Sequence, residues 1–478
     1  MAASSRGASA VRGATCRAAT VGRTSLRWKH ASARVVHLMT DGVVILGGGA
    51  SGTLTAVALS ALPDVGPLTL VDGAGAFARG VAYSTEEPRH LLNVPAGRMS
   101  ALPDQPSHLL EWLAVRGETP DPEAFLQRRL YGAYLGELLG ATGSRVQQVV
   151  DHAVALAPDG PGLRVDLAGR PSLRARAAVL ALGNFPPELP PGWTALPSRL
   201  AWRTPWASPE DWPAPEAEVL LLGAGLTAVD VVLSLLARGH RGRIHLLSRR
   251  GLLPATHPPR MLAAVPLGPR TPRLRALLRM FRETARREDS RAVLDTLRPE
   301  LGALWRGLTH PEQRRFLRHL RPWFDVVRHR LPPEVGARIG ALEAEGRLVR
   351  HAGRVVSIAE QDGRVALRYR PRRARTLAVL AVDVAVPTTG PAMDVRALDD
   401  PLVRSLLDSG QARPGPHGLG FATAADGAVL GPLRDRLWTL GGLRRGDLWE
   451  ATAIPEIRMQ AREVAEALAG QLRTAGAG

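Results

Sequence analysis

Short, wholly apolar runs that stop abruptly at glycine dominate the hydropathy pattern of this chain. VVILGGGASG places four apolar residues before Gly47, and EVLLLGAGLTA places four before Gly223. Apolar runs of this length without polar alternation belong to strands buried on both faces, as in a parallel sheet covered by helices. Each is followed by a helical stretch and then a second apolar run, LTLVD in the first unit and RIHLLS in the second. Elsewhere the periodicity predicts helices over 106–115 and 121–141, short strands over 146–168, and a buried strand in AAVLALGN, residues 177–184. A Pro- and Trp-rich linker follows over about 184–217. Leu297, Leu301, Leu304, Trp305 and Leu308 recur at helical spacing and read as core. Strands return over 347–386, LWTLGG forms a last strand, and a helix is expected over 454–470.

The glycine spacing gives the two apolar runs a chemical meaning. Gly47, Gly49 and Gly52 in the first unit, and Gly223, Gly225 and Ala228 in the second, fit a strand, a tight turn and a helix whose N-terminus faces a pyrophosphate. Ser51 and Thr227 stand at the two helix starts as further candidate contacts. Asp72 closes the next strand 20 residues after Gly52, where a carboxylate accepts ribose hydroxyls. The second unit carries Ser248, Arg249 and Arg250 at the equivalent place. An acid there repels a 2′-phosphate, whereas a charge-assisted arginine bond contributes about 1.5–3 kcal/mol. The first site is therefore expected to take FAD or NAD and the second NADPH.

These elements predict an α/β protein with two Rossmann-like dinucleotide-binding domains and an Arg-rich helical segment. Residues 39–210 form the first part of an FAD domain, 217–345 an inserted NADPH domain with a helical insertion over 257–330, and 346–478 the second part of the FAD domain. Residues 1–38 are Arg-, Ser- and Ala-rich without an acid. They fit a transit peptide, or a start assigned too far upstream of Met39, which is the preferred reading; either way they are expected outside the fold.

Composition narrows the chemistry. The chain of 478 residues is long enough for two or three domains, and its one cysteine, Cys16, excludes disulfides, iron–sulfur clusters and a redox-active cysteine pair. Its 13 histidines show no metal-binding spacing, so no metal is expected. The net charge of +18 is concentrated in residues 1–40, with seven basic and no acidic side chains, and in residues 257–330, with 17 arginines against seven acids. Lys29 is the single lysine, a bias that points to base composition more than to a partner, and no nucleic-acid-binding motif is present. The longest apolar stretch, 219–237, contains Asp230 and reads as strand plus helix, so no membrane span is expected and the location is taken as cytoplasmic.

The strings GVAYST, HLLNVPAGRMSALP, GLTAVD, SRRGLLP, RFLRHLRPWFDVVRHRLPPEV and TLGGLRRGDLWEATAIPEIR resemble a group of uncharacterised bacterial FAD/NAD(P)-binding proteins called YdhS-like, over most of residues 41–470. The resemblance implies a two-dinucleotide flavoprotein akin in architecture to flavin monooxygenases and to ornithine and lysine N-hydroxylases. It also implies that the turn Gly441 to Asp447 and the helix from Ile454 close over the flavin. One departure stands against the monooxygenase label: residues 184–217 contain no histidine, so the FxGxxxHxxxW/Y signature of that linker is missing.

Asn93, Arg98 and Met99 follow the Asp72 strand as candidate flavin neighbours, an amide for the pyrimidine edge and a thioether for the ring face. Asp447 reads either as a ribityl contact or as a loop carboxylate, and His257 either as facing substrate or, preferably, as a satisfied surface histidine. The expected activity is an NADPH-using, FAD-dependent monooxygenase acting on a small metabolite with molecular oxygen through a C4a-(hydro)peroxyflavin. Two alternatives remain: an NADPH dehydrogenase feeding a quinone or protein acceptor, and a non-catalytic redox sensor.

Overall fold

The computed structural model describes residues 38–39, 42–206 and 212–476. The expectation for residues 1–38 lies outside the described residues, apart from Leu38. That residue begins strand β1 (Leu38–Met39), which pairs with Leu173 and Arg174.

The first half runs β2 (Val43–Leu46), α1 (Ala50–Ser60), β3 (Leu68–Asp72), α2 (Gly80–Tyr83), α3 (His108–Val115), α4 (Arg128–Gly140), β4 (Val146–Val150), β5 (Ala153–Asp159), β6 (Gly162–Leu167), β7 (Leu173–Ala175) and β8 (Ala177–Leu180). The second half opens with β9 (Val219–Leu222), α5 (Leu226–Ala237) and β10 (Ile244–Ser248). Helices α6 (Leu274–Thr284), α7 (Ser290–Leu297), α8 (Leu301–Gly307), α9 (His310–Arg315), α10 (Arg321–Arg328) and α11 (Pro333–Ala344) follow. The chain then forms β11 (Leu348–Gln361), β12 (Arg364–Pro371), β13 (Ala378–Val382), β14 (Val384–Pro387), α12 (Pro401–Asp408), β15 (Leu437–Thr439), α13 (Arg445–Leu448) and α14 (Ile454–Gly476).

Two parallel sheets explain the two apolar runs. In the order β15-β8-β2-β3-β4, Val43 and Ile45 face a core built with α1, α4 and α14, while Val44 and Leu46 face another built on the small sheet β1-β7-β6-β5. In the order β13-β12-β11-β10-β9-β14, Val219 and Leu221 pack toward α5 and α11, while Leu220 and Leu222 pack on Trp193, Ile358 and Val365. Each run is covered on both faces, so no position along it tolerates a polar side chain. The chain is thus an α/β protein with two Rossmann-like units.

Two expectations change. Strands β11 to β14 bond into the second sheet, and only β15 rejoins the first, beside β8, so the return falls after Pro387 and not at residue 346. Residues 121–127 stay outside α4 because Pro120 and Pro122 interrupt the helical pattern and Gln127 bridges to Leu91. Most arginines of the insertion are exposed, and a few turn inward to meet acids. Arg298 forms a two-point pair with Glu456 at 2.7 and 2.8 Å, Arg328 meets Glu450 at 2.7 Å, and Arg330 holds Asp295 at 2.8 and 2.9 Å. Trp305 lies in a cluster with Leu419 and Trp449, and its indole N–H donates to the Gly446 carbonyl at 2.7 Å.

A buried ion pair ties the two units together. Arg128, at the start of α4, reaches Asp230 on α5 through both terminal nitrogens, at 2.6 and 3.2 Å. The His90 Nε2–H donates to the Asp230 carbonyl at 2.9 Å while its Nδ1 accepts from the Thr85 hydroxyl at 2.7 Å. Side-chain exposure is 16% for Arg128 and 8% for Asp230, so each charge depends on the other. Breaking such a pair from one side strands a buried charge and costs about 3 kcal/mol or more. Asp230→Ala is expected to lower the denaturation midpoint steeply, with the Arg128→Met/Asp230→Leu double variant recovering a large part; equal losses in both would show that the pair itself is dispensable.

Candidate functional site

Both glycine turns are built on the same constraint. Gly47 sits at φ +108°, and a Cβ there would stand 2.2 Å from the Ala181 carbonyl oxygen at the end of β8. Gly223 sits at φ +125°, and a Cβ would stand 2.1 Å from the Thr388 carbonyl oxygen at the end of β14. In each sheet the neighbouring parallel strand occupies the space a side chain would need. Gly52 lets α1 close on the turn, a Cβ there lying 1.8 Å from the Gly47 oxygen, and in α5 the fully buried Ala228 fills that role.

Helices α1 and α5 begin at Gly49 and Gly225, and neither receives a side-chain cap. Their first N–H groups therefore point outward as donors for an anion, with Ser51 and Thr227 in the first turn. The surroundings differ. A Cβ on Gly49 would meet Gly80 at 3.4 Å, and Gly441, at φ +70°, lies with its Cβ direction 3.4 Å from the Ser51 hydroxyl. A Cβ on Gly225 would meet no atom within 4 Å beyond its own chain neighbours and helix. The first cradle is roofed by other parts of the chain; the second is open.

Asp72 ends β3 with its carboxylate on three backbone amides: Gly48 at 2.9 Å, Ala74 at 3.0 Å and Ala76 at 3.2 Å. A carboxylate offers about four acceptor directions, which leaves room for one ribose hydroxyl. On the second side Ser248 accepts from the Gly251 N–H at 3.0 Å. Arg250 turns away to the His319 carbonyl at 3.4 Å and lies 5.8 Å from the Trp323 ring centre. Arg249 is exposed, and no hydrogen bond or ion pair holds it among the described residues. Of the two arginines it is the one available to a 2′-phosphate.

The remaining candidates divide. The Asn93 carbonyl accepts from His257 Nε2–H at 3.0 Å, which joins the loop after β3 to the loop after β10. Arg98 is half-buried, and Met99 is 2% exposed inside the first core. Asp447 accepts from the Thr423 amide and hydroxyl at 3.0 and 2.8 Å, the arrangement of a loop carboxylate. Gly442 lies against the Gly183 carbonyl, where a Cβ would stand 3.2 Å away, with Asn184 and Thr452 close by. A bridge between Phe185 and Ala392 joins the segments that leave β8 and β14, so the exits of the two cradles meet.

Sequence reasoning missed His90, Arg128 and Asp230 as positioning residues. Only the acid in GLTAVD, on an otherwise apolar helix, carried a signal. Among the described residues no helix is long and apolar enough to cross a membrane, and no group of three or more His, Cys, Asp or Glu could hold a metal ion.

Comparison with known proteins agrees with this geometry. Residues 44–185 match a family described as FAD-NAD(P)-binding. No curated protein matches the chain. Its fold is similar to that of ornithine hydroxylase from Pseudomonas aeruginosa, with a TM-score of 0.65 and 16% identity over 91% of this chain and 100% of that one. L-lysine 6-monooxygenase from Pseudomonas syringae gives 0.62 and 16% identity over 90% and 99%, and bacillithiol disulfide reductase from Bacillus cereus 0.56 and 14% over 90% and 99%. At these identities the likeness is one of fold. The chain has the fold of these dinucleotide-binding proteins, with two Rossmann-like units, and residues 44–185 match the FAD-NAD(P)-binding family.

Two outcomes check the site. Gly223→Ala is expected to unfold the second unit readily, since the new Cβ strikes backbone at an unfavourable φ. Gly225→Ala has room for its Cβ and is expected to keep the wild-type melting temperature while weakening dinucleotide binding about tenfold or more, as the methyl enters the space of a pyrophosphate. Unchanged binding by Gly225→Ala would mean that no phosphate approaches the turn.

His257 gives a pH signature. Burial, opposed by its bond to Asn93 and aided by the nearby Arg330, lowers its pKa from 6.5 to about 4. The folded form thus favours the neutral ring, so its contribution is complete above pH 6.5 and is lost as pH falls toward 4. Equilibrium unfolding from pH 7 to 4 is expected to show this loss, and His257→Gln to flatten it. An identical slope in the variant would remove the assignment.

Proposed function

We propose that this protein is an FAD-dependent oxidoreductase that takes electrons from NADPH, and that it acts as a monooxygenase on a small metabolite. The observation that carries the reading is the pair of uncapped helix N-termini behind glycine turns, one roofed and one open, with their exits joined at Phe185 and Ala392. A roofed cradle suits a resident cofactor, and an open one suits a nucleotide that enters and leaves in each cycle.

In this reading Gly47, Gly49, Ser51 and Gly52 hold the FAD pyrophosphate, Asp72 its ribose, and Gly441 with Gly442 the approach to the ring. Asn93 and Arg98 line the loop on its other side, and Met99 supports that loop from the core. Gly223, Gly225 and Thr227 hold the NADPH pyrophosphate, and Arg249 binds the 2′-phosphate. Bound flavin supplies hydride acceptance and reaction with oxygen. The chain supplies orientation: Arg128 and Asp230 fix α5 relative to α4, and the His257–Asn93 bond fixes the two loops. Asp447 stabilises the turn over the first cradle through Thr423.

Disulfide reduction through a cysteine pair is unavailable to a chain with one cysteine. Transfer to a quinone or protein acceptor is the competing reading, because the linker histidine of the monooxygenase signature is absent.

NADPH oxidation in air by the FAD-loaded protein tests these readings. Metabolite-stimulated consumption coupled to an oxygenated product is the expected result. Consumption that requires a quinone or protein acceptor would replace it with a dehydrogenase, and none under any condition would leave a sensor. Arg249→Ala is expected to raise the KM for NADPH about tenfold or more with little change for NADH, and Arg250→Ala much less. Equal effects on both nucleotides would overturn the 2′-phosphate assignment.

A further inference from the structure

Most arginines of the helical insertion that reach the interior are matched by a carboxylate, whereas neighbouring Arg444, whose guanidinium donates to the Ala424 and Ala425 carbonyls, and Arg445 are not, among the described residues. Arg298, Arg328 and Arg330 each pair with an acid within 2.9 Å. Arg445, in the turn after β15, has none within 4.0 Å among the described residues. Its guanidinium reaches only the Met393 sulfur and, at 3.3 Å, the Thr452 hydroxyl, both weak partners for a charge. Burial pulls its pKa down, the nearby Arg321 adds to this, and Glu450 and Asp325 oppose it from farther away.

Arg321 converges on the same point. Its Nε is held by Asp325 at 3.3 Å, its Nη2 lies 3.8 Å from the Met393 sulfur, and its guanidinium is 5.7 Å from the Trp449 ring centre. Two cations that repel each other therefore share one thioether. A thioether neutralises neither, and half-buried Arg445 has no carboxylate to offset its charge. An anion placed between the two guanidinium groups would offset both.

The place matters as much as the charge. Thr452, which Arg445 touches, also lies beside Gly442, and Gly442 lies against Gly183 at the exit of the first cradle. Met393 follows Ala392, whose bridge to Phe185 joins the exits of both cradles. The guanidinium pair is thus connected through Thr452 and Met393 to the segments that leave β8 and β14, the strands beside the two glycine turns.

We propose that Arg321 and Arg445 bind a carboxylate of the substrate, with Met393 and Thr452 filling the space beside it. The substrate class is then a small organic acid, including an amino acid. The location rests on the reading of the two cradles given above; the anion site itself does not.

Isothermal titration calorimetry with benzoate and its uncharged counterpart benzamide, and with butyrate and butyramide, tests the proposal on the FAD-loaded protein and on protein stripped of flavin. The acids are expected to bind at least tenfold more tightly than the amides, and Arg445→Gln and Arg321→Gln each to reduce that preference about tenfold or more. Arg445→Lys is expected to retain part of it. Melting temperatures identify any variant that has lost its fold, in which case Arg445→Lys and Arg321→Gln carry the comparison.

Equal binding of acids and amides, no binding of either at millimolar concentration, or a preference that survives both glutamine substitutions would overturn the site. A preference that disappears when saturating NADPH is added would reassign the arginines to the nucleotide. A protein that binds the acids but takes up no FAD would leave the anion site standing and refute the flavoprotein reading, so the two failures are distinct.

Discussion

The structure depends on Arg128 meeting Asp230 across the boundary between its two parallel sheets. Two dinucleotide-binding units on one chain are by default free to shift against each other, because surfaces between units are modest and polar. Hydride transfer requires the opposite, a fixed separation between two rings. A two-point guanidinium–carboxylate contact restricts both distance and rotation, and His90 adds a third bond to the backbone of the same helix turn. Because both charges are buried, sliding α4 along α5 strands them together, so the contact acts as a register mark more than as a source of net stability.

Each cradle inherits its shape from the sheet beneath it. The carbonyl of Ala181 in one sheet and of Thr388 in the other presses on the first glycine of its turn, so the turn is set by a neighbouring strand as much as by its own residues. What distinguishes the cradles is what passes above them. Gly80 and Gly441, remote in sequence, each approach the start of α1, while a Cβ on Gly225 would meet nothing comparable. The asymmetry between the two glycine turns therefore arises from the loops and the C-terminal turn.

That division explains what the sequence made legible. The apolar runs, the glycine spacing, and Leu297 and Trp305 as core residues are local patterns, and the structure places each of them on the expected kind of element. The allegiance of β11 to β14 depends on which open strand edge they meet, β10 offering one, and no local pattern encodes that choice. Arg128 and Asp230 lie 102 residues apart and His257 and Asn93 164 apart, separations at which charge and polarity alone do not select partners. Arg249 and Arg250 read alike in sequence; only the packing of Trp323 and His319 draws one of them away.

The excess positive charge of residues 257–330 takes on a different sense in three dimensions. A basic surface for a polyanion would display its guanidinium groups outward in a row. Most arginines here remain exposed, but Arg298, Arg328 and Arg330 turn inward, and Glu450 and Glu456 from the C-terminal segment come to meet two of them. Charge has been used to clamp the insertion onto the turn and helix that follow β15, the same turn that lies over the first cradle. The insertion is thereby linked to that turn, where Arg445 is left without an acid among the described residues and Arg321 keeps only Asp325 at 3.3 Å. A guanidinium positioned by its neighbours needs little reorganisation when an anion arrives, which is the condition under which a charged contact orients a substrate most effectively.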